Sequence, residues 1–379
     1  MKQTVKVVSL KRHPYIDALR GWAIIGVLLA HVSIVGSVIY PSWLYKITYI
    51  YVAPRGVQLF FVVSAFTLCL SWYNRKKEEK HALLNFYIRR FFRIAPLFYV
   101  VLLYFLYIQN YWSGNPNHFS LPNILATIFF LNGFFPAWLN NIVYGGWTIA
   151  VEMTFYLCFP LLVSYIKSIR TSLFVLLLAM ILMQGLRLYL NTLSLFHATF
   201  STFTFEFFPS QLPVFLIGIV VFLCLNSPWT LLDRKVFKLS LVVFAFALFA
   251  QFLFHVPLIA GHYLYGIFFG LLLVFLTKYP TKLLVNPITT HIGKVSYSMY
   301  LSHVAILYIL DRIGFIHLFS TFPILHFFYV FFLLLLVTTG VSTVLFHIIE
   351  RPGQLIGKKL IDAHEKVATL DINSSLKTW

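Results

Sequence analysis

The sequence predicts an all-α integral membrane protein: about ten transmembrane helices plus one re-entrant or interfacial segment, with both termini cytoplasmic. Three observations carry this. First, 60% of the 379 residues are hydrophobic and only 11% are charged, where a soluble chain averages about 25% charged; mean hydropathy is +0.84. Second, apolar stretches near the roughly 20 residues needed to cross a bilayer recur along the whole chain. Third, Lys and Arg collect in alternate intervening loops, as they do on the cytoplasmic side of membrane proteins.

The expected spans begin near Tyr15, Gly56, Phe92, Gly146, Ser172, Phe208, Phe237, Leu258, Val295 and Ile324. The stretch from Leu121 to Pro136 is apolar but short and bracketed by prolines, so it is read as the re-entrant or interfacial segment on the outer side. With the N-terminus inside, the loop from Arg75 to Arg93 is also inside. The same holds for Lys167 with Arg170, for Arg234, Lys235 and Lys238, for Lys278, Lys282 and Lys294, and for the basic residues from Arg351 onward. Lys46, Arg55, Arg187 and Arg312 are left outside or near the outer face. The domain plan is a cytoplasmic tail over 1–14, a membrane domain over 15–352 and a second cytoplasmic tail over 353–379.

The formal net charge of +18 follows from this loop bias, so no nucleic-acid partner is expected. The basic N-terminal stretch precedes a segment too long for a signal-peptide core and lacks a clear cleavage site, so it is expected to be retained. Cys69, Cys158 and Cys224 fall in apolar runs without metal-ligand or disulfide spacing and read as small core hydrophobes. Phosphate loops, metal clusters and serine nucleophile elbows are missing from the motifs present. The chemistry expected is therefore metal-free and centred on histidine.

Few ionisable residues fall within apolar spans, and such residues are costly there without a task. Arg20 and His31 lie eleven apart in the first span, close to three helical turns, hence on one face and about 16 Å apart. Arg20 is expected near the inner surface, beside Asp17, and His31 near the middle. Glu152 is the deepest carboxylate, and His31 and Arg20 are its natural partners; a helix-packing hydrogen bond is the simpler reading of the same residue. An imidazole with an unperturbed pKa near 6.5 suits general-base catalysis. Arg90 and Arg93 share one helical face at the cytoplasmic mouth. Their guanidinium forks match phosphate oxygens, although anchoring at the interface explains such a pair equally well.

Taken together, these segments resemble the acyltransferase-3 family of integral membrane acyltransferases. The likeness starts with YIDALRGWAIIGVLLAH, holding Arg20 and His31, and continues in GVQLFFVVSAFTL. RRFFRIAPLFY supplies Arg90 and Arg93, and WTIAVEMTFYLCFPLL supplies Trp147, Glu152 and Pro160. IGKVSYSMYLSH supplies Tyr297, Tyr300 and His303, and Glu350-Arg351-Pro352 closes the series at the end of the last span. Gln58 stands where the family usually has Asp, Ala65 where it has Gly, and Thr148 where Ser is frequent.

The resemblance implies transfer of an acyl group, usually acetyl, from cytoplasmic acetyl-CoA or another acyl-CoA to a hydroxyl beyond the membrane. The implied acceptor is a bacterial surface glycan or lipid-linked glycan such as lipopolysaccharide O-antigen, capsule or exopolysaccharide, and the implied location is the inner membrane. Carried onto this chain, it makes His31, Glu152 and Arg20 the catalytic candidates. Arg90 and Arg93, with Arg89, become the candidates for holding the CoA phosphates; Trp147, Tyr297, Tyr300 and His303 are secondary ones, and Lys294 is a weaker one at the inner mouth. His31 either deprotonates the acceptor hydroxyl or is itself acylated, with Glu152 orienting the ring in both routes. Transfer to a lipid or small molecule, and proton-coupled transport, are the competing readings.

Overall fold

In the computed structural model, residues 13–33, 38–51, 55–114, 118–192, 198–226 and 260–375 are described. Every regular element among them is helical. The α-helices of eight residues or more are, in chain order, α1 (Pro14–Val32), α2 (Gly56–Arg75), α3 (Ala82–Ser113), α4 (Leu121–Ile128), α5 (Gly146–Tyr165), α6 (Ile169–Thr192) and α7 (Ala198–Glu206). There follow α8 (Phe208–Leu225), α9 (Gly261–Lys278), α10 (Pro287–Lys294), α11 (Ser296–Arg312), α12 (Pro323–Leu345) and α13 (Arg351–Ser375).

Eight of the described helices are long and apolar enough to cross a membrane: those built on α1, α2, α3, α5, α6, α8, α9 and α12. The span expected at Val295 is α11, whose 17 residues sit at the lower limit of crossing length. The span expected at Phe237 lies outside the described residues. Leu121–Pro136 forms only the eight-residue α4 followed by turns. At about 1.5 Å per residue α4 is far too short to span.

Two elements differ from expectation. The third span starts not near Phe92 but ten residues earlier, so Arg89, Arg90 and Arg93 sit well inside a helix rather than at its opening. No helix breaker separates Ala82 from Phe92, and the 32-residue α3 exceeds the roughly 30 Å hydrocarbon thickness. The expected C-terminal tail is helical as well: a five-residue π turn, Phe346–Glu350, carries α12 directly into α13.

The centre of the bundle is α1, which packs on α2, α10, α11 and α12. Its approach to α10 is possible because both helices offer glycine. A Cβ on Gly21 would overlap the carbonyl of Thr289, and one on Gly293 would overlap the carbonyl of Asp17. Small residues allow such backbone contact between membrane helices. α2 runs antiparallel to α1, with Thr67 opposite Arg20 and Gly56 opposite Ala23 and Val27. A stacked aromatic seam, Phe61–Phe215–Phe155, joins α2, α8 and α5 at centroid distances of 4.4 and 4.0 Å. Exposed Leu157, Leu161, Leu177 and Phe332 give the outer surface the apolar character that lipid requires.

The α1–α10 contact predicts that Gly293→Ala costs at least about 1–3 kcal/mol through backbone overpacking. Gly340→Ala in α12, where no atom lies within 4 Å of the new Cβ, should be neutral or stabilising, since Ala is the better helix former. Thermal unfolding midpoints of the two variants in detergent check this pair.

Candidate functional site

Three cavities lie in series through the bundle. The first, about 1040 Å³, opens where the ends of α2, α3, α10 and α13 meet, and it gathers Arg75, Arg89, Arg90, Arg93, Lys294, Arg351 and Lys358. Three of the charge clusters seen in the sequence thus converge at one basic end. Arg90 and Arg93 also line the second cavity, a narrow chamber of about 60 Å³ holding Arg20, Ser64, Thr67, Glu152 and Tyr297. Val57 and Tyr300 are shared between that chamber and the third cavity, about 550 Å³, which contains His31, Arg55, Asn140, Trp147, Glu206 and Asp311.

In the middle chamber, Glu152 Oε1 accepts hydrogen bonds from Ser64 Oγ (2.6 Å) and Tyr156 OH (2.5 Å). Tyr156 is one turn beyond Glu152 on α5, so the i+4 spacing stacks the two side chains. Arg20 Nη2 donates to Thr67 Oγ1 (3.1 Å), which donates to the Ser64 carbonyl (3.0 Å). Arg20 lies within electrostatic reach of Asp17, Arg93 and Glu152. The chamber thus balances three guanidiniums with one carboxylate held by hydroxyls. The expected pairing of Glu152 with His31 does not occur. The carboxylate is satisfied by hydroxyls of α2 and α5 and lines a different cavity from the imidazole.

Arg90 stands over the rings of Phe86 and Tyr156 at 5.7 and 5.8 Å. This stacking orients its planar cation. Among the described residues neither Arg90 nor Arg93 has a carboxylate within ion-pair distance, and the buried Arg90 Nε makes no hydrogen bond. Arg89 differs, since Glu79 grips it in a two-pronged pair at 2.7 and 2.9 Å. It lines the mouth with its charge already matched, so the anion capacity expected of three arginines rests on Arg90 and Arg93.

His31 is one residue from the end of α1. Its Nδ1 lies 2.8 Å from the Val27 carbonyl. A carbonyl only accepts, so Nδ1 bears the hydrogen and Nε2 keeps the basic lone pair. His303 on α11 meets His31 edge to face at 4.7 Å between ring centroids. It is fixed the same way, with Nδ1 at 2.6 Å from the Tyr300 carbonyl. Its Nε2 is buried without a hydrogen-bond partner among the described residues. Tyr300 OH donates to the Gly145 carbonyl (3.1 Å) and Tyr297 OH to the Ile94 carbonyl (2.6 Å). Tyr300 therefore ties α11 to the start of α5 at the wall between the two inner cavities. Trp147 lines the His31 cavity, and Gln58, at the position where Asp was the expected residue, lines it too and donates to Gln211 Oε1 at 3.3 Å.

Sequence reasoning singled out neither Ser64 nor Tyr156, and it gave no role to Glu206 or Glu350. Ser64 lies within a quoted motif and Tyr156 one turn from Glu152, so both were within reach of a helical-spacing argument. Glu206 on α7 accepts from Asn140 (2.8 Å), and buried Glu350 accepts from Ser298 (2.9 Å) and Gln354 (3.1 Å). Gln354 is one turn from Glu350, but only tertiary packing brings Asn140 to Glu206 and Ser298 to Glu350.

Buried guanidiniums and a hydroxyl-held carboxylate, set in a polytopic helical bundle with a histidine cavity beyond, define a multi-pass membrane protein with a polar, cation-lined interior. The Acyltransferase domain of the acyltransferase-3 family matches residues 13–347, and the chain belongs to that family. Among relatives, O-acetyltransferase OatA of Staphylococcus aureus (strain NCTC 8325 / PS 47) is 27% identical over 191 residues, 44% of this chain and 27% of that protein. Peptidoglycan O-acetyltransferase OatA of Listeria monocytogenes serovar 1/2a is 29% identical over 199 residues, 45% of this chain and 27% of its own length. A Staphylococcus aureus (strain MSSA476) protein, provisionally named an O-acetyltransferase, is 24% identical over 397 residues, 95% of this chain and 60% of its own length. The match thus spans about a quarter of the two OatA proteins and 60% of the third relative, under two thirds in each case. No solved structure matches it significantly.

Because Glu152 is held by two hydroxyls, the double variant Ser64→Ala, Tyr156→Phe should lower stability by about 2–6 kcal/mol, from about 1–3 kcal/mol per lost partner of a buried group. Adding Glu152→Gln should recover part of that loss. Thermal unfolding of the three proteins tests the assignment.

Proposed function

We propose that this chain is a bacterial inner-membrane O-acyltransferase that passes an acyl group, acetyl, from cytoplasmic acyl-CoA to a hydroxyl of a surface glycan. The observation that carries the reading is the series of cavities, in which neighbours share lining residues from the basic mouth to His31. In this reading the basic end is cytoplasmic, as its Lys and Arg content favours. Arg90 and Arg93 take the phosphates, whose oxygens fit their forks. The acyl arm passes Arg20 and Glu152 and reaches the His31 cavity by way of Tyr300. Arg20 and His31 are about 16 Å apart along α1 and line different cavities, so Arg20 guides the arm and is not placed at the thioester oxyanion.

At His31, Nε2 is the reactive nitrogen. In direct transfer it accepts the acceptor hydroxyl proton while that oxygen attacks the thioester carbonyl. The C–O bond forms, the C–S bond breaks, and Nε2 returns its proton to the departing thiolate. The acyl-histidine route uses the same lone pair as nucleophile. Val27 performs the tautomer-fixing task expected of Glu152. The acceptor enters from the opposite end, where Arg55, Asn140, Tyr144 and, on α7, Phe205 and Glu206 line one aromatic and polar cavity, a surface suited to sugar stacking and hydrogen bonding. The Listeria relative is named for peptidoglycan, which makes a peptidoglycan hydroxyl an acceptor of the same class as those of O-antigen, capsule or exopolysaccharide.

His31→Ala should abolish acyl transfer in membranes while leaving the amount of inserted protein unchanged; full activity would remove His31 from the chemistry. Arg90→Ala with Arg93→Ala should raise the donor KM at least about tenfold, as losing a charge-assisted phosphate contact does. Steady-state rates with acetyl-CoA as the varied substrate read out the second effect, and an unchanged KM would return both arginines to an anchoring role.

A further inference from the structure

The basic mouth has two walls, and only one of them was assigned above. α13 leaves the last membrane helix and folds along α3. Gly353 and Gly357 admit Phe92 and Pro96 so closely that a Cβ on either would press on them. Further along, the Glu365 carboxylate accepts from the backbone N–H groups of Lys80 and His81 (3.0 Å each) and from Asn85 Nδ2 (2.6 Å). These contacts fix which face of α13 turns to the cavity. That face carries Arg351, Gln354, Leu355, Lys358 and Asp362, the stripe that a 3.6-residue period produces. The mouth as a whole holds seven cations against three carboxylates, one of which, Glu79, is spent on Arg89. Its charge therefore favours an anion bearing several negative groups.

Arg90 and Arg93 line the mouth and the chamber behind it, whereas Arg351 and Lys358 line the mouth alone and are exposed. A ligand entering arm first meets the first pair with its inner part and the second with its outer part. In a coenzyme A thioester the diphosphate adjoins the arm, and the ribose 3′-phosphate lies beyond it at the nucleotide end. We propose that α13 is the outer wall of a nucleotide cradle in which Arg351 and Lys358 bind the 3′-phosphate of the donor while Arg90 and Arg93 hold its diphosphate. This rests on the acyl-CoA reading above and adds a requirement to it: the enzyme selects the 3′-phosphorylated coenzyme through its C-terminal helix.

Equilibrium binding of CoA and 3′-dephospho-CoA to purified full-length protein tests the assignment. The wild type should bind CoA about tenfold tighter than 3′-dephospho-CoA, the scale of one charge-assisted phosphate site. Lys358→Ala with Arg351→Ala should remove that difference by weakening CoA alone, with the unfolding midpoint unchanged because both side chains are exposed. Lys358→Glu should reverse the preference, and Arg90→Ala should weaken both ligands together. Equal loss for both ligands in the α13 variants, or no loss for either, overturns the cradle while the acyl-CoA reading stands. A wild type that binds neither ligand overturns both.

Discussion

The organising constraint is that guanidiniums and carboxylates cannot face hydrocarbon. An ionised group at bilayer depth must find a counter-charge, polar partners or water. Here Arg20, Arg90, Arg93 and Glu152 turn inward to one chamber, and the outer surface is left to leucine and phenylalanine. Five helices, α1, α2, α3, α5 and α11, supply the chamber's charged and hydroxyl groups. Their packing and the placement of these groups are therefore a single problem. Gly21 and Gly293 bring α1 against α10, Thr67 anchors Arg20, and the hydroxyls of Ser64 and Tyr156 hold the one carboxylate.

Separating the polar groups into two chambers changes their division of labour. A carboxylate beside His31 would make a familiar triad. Instead, backbone carbonyls fix both His31 and His303 through Nδ1, and His303, whose buried Nε2 has no partner among the described residues, packs against the His31 ring. Backbone acceptors set the tautomer without introducing another charge beside the two rings. The carboxylate is thereby free to serve the arginine-lined chamber through which an anionic donor would pass.

Much of this was legible in the sequence because membrane insertion imposes coarse rules. Apolar length located most described spans to within a few residues, and the one large offset, at α3, arose because charged residues end an apolar run without ending a helix. Spacing alone placed Arg20 and His31 on one helix, and Arg90 with Arg93 on one face. Sequence distance could not show that Glu152 meets Ser64 rather than His31, since that depends on the relative rotation of α1, α2 and α5. Likewise, the Arg89 pair with Glu79 depends on how the loop between α2 and α3 folds back. The basic tail read as an appendage; its glycines and Glu365 acquire meaning only against α3.

The central claim is a polar route inside the bundle, and Val57, which lines both inner cavities, is the position that tests it. In a background with Cys69, Cys158 and Cys224 replaced, Val57→Cys should react with a small, charged, membrane-impermeant thiol reagent, and CoA should slow that reaction. Leu177→Cys, on the outward face of α6, supplies the lipid-facing reference and should not react. A Val57→Cys protein as inert as the Leu177→Cys reference would contradict the account.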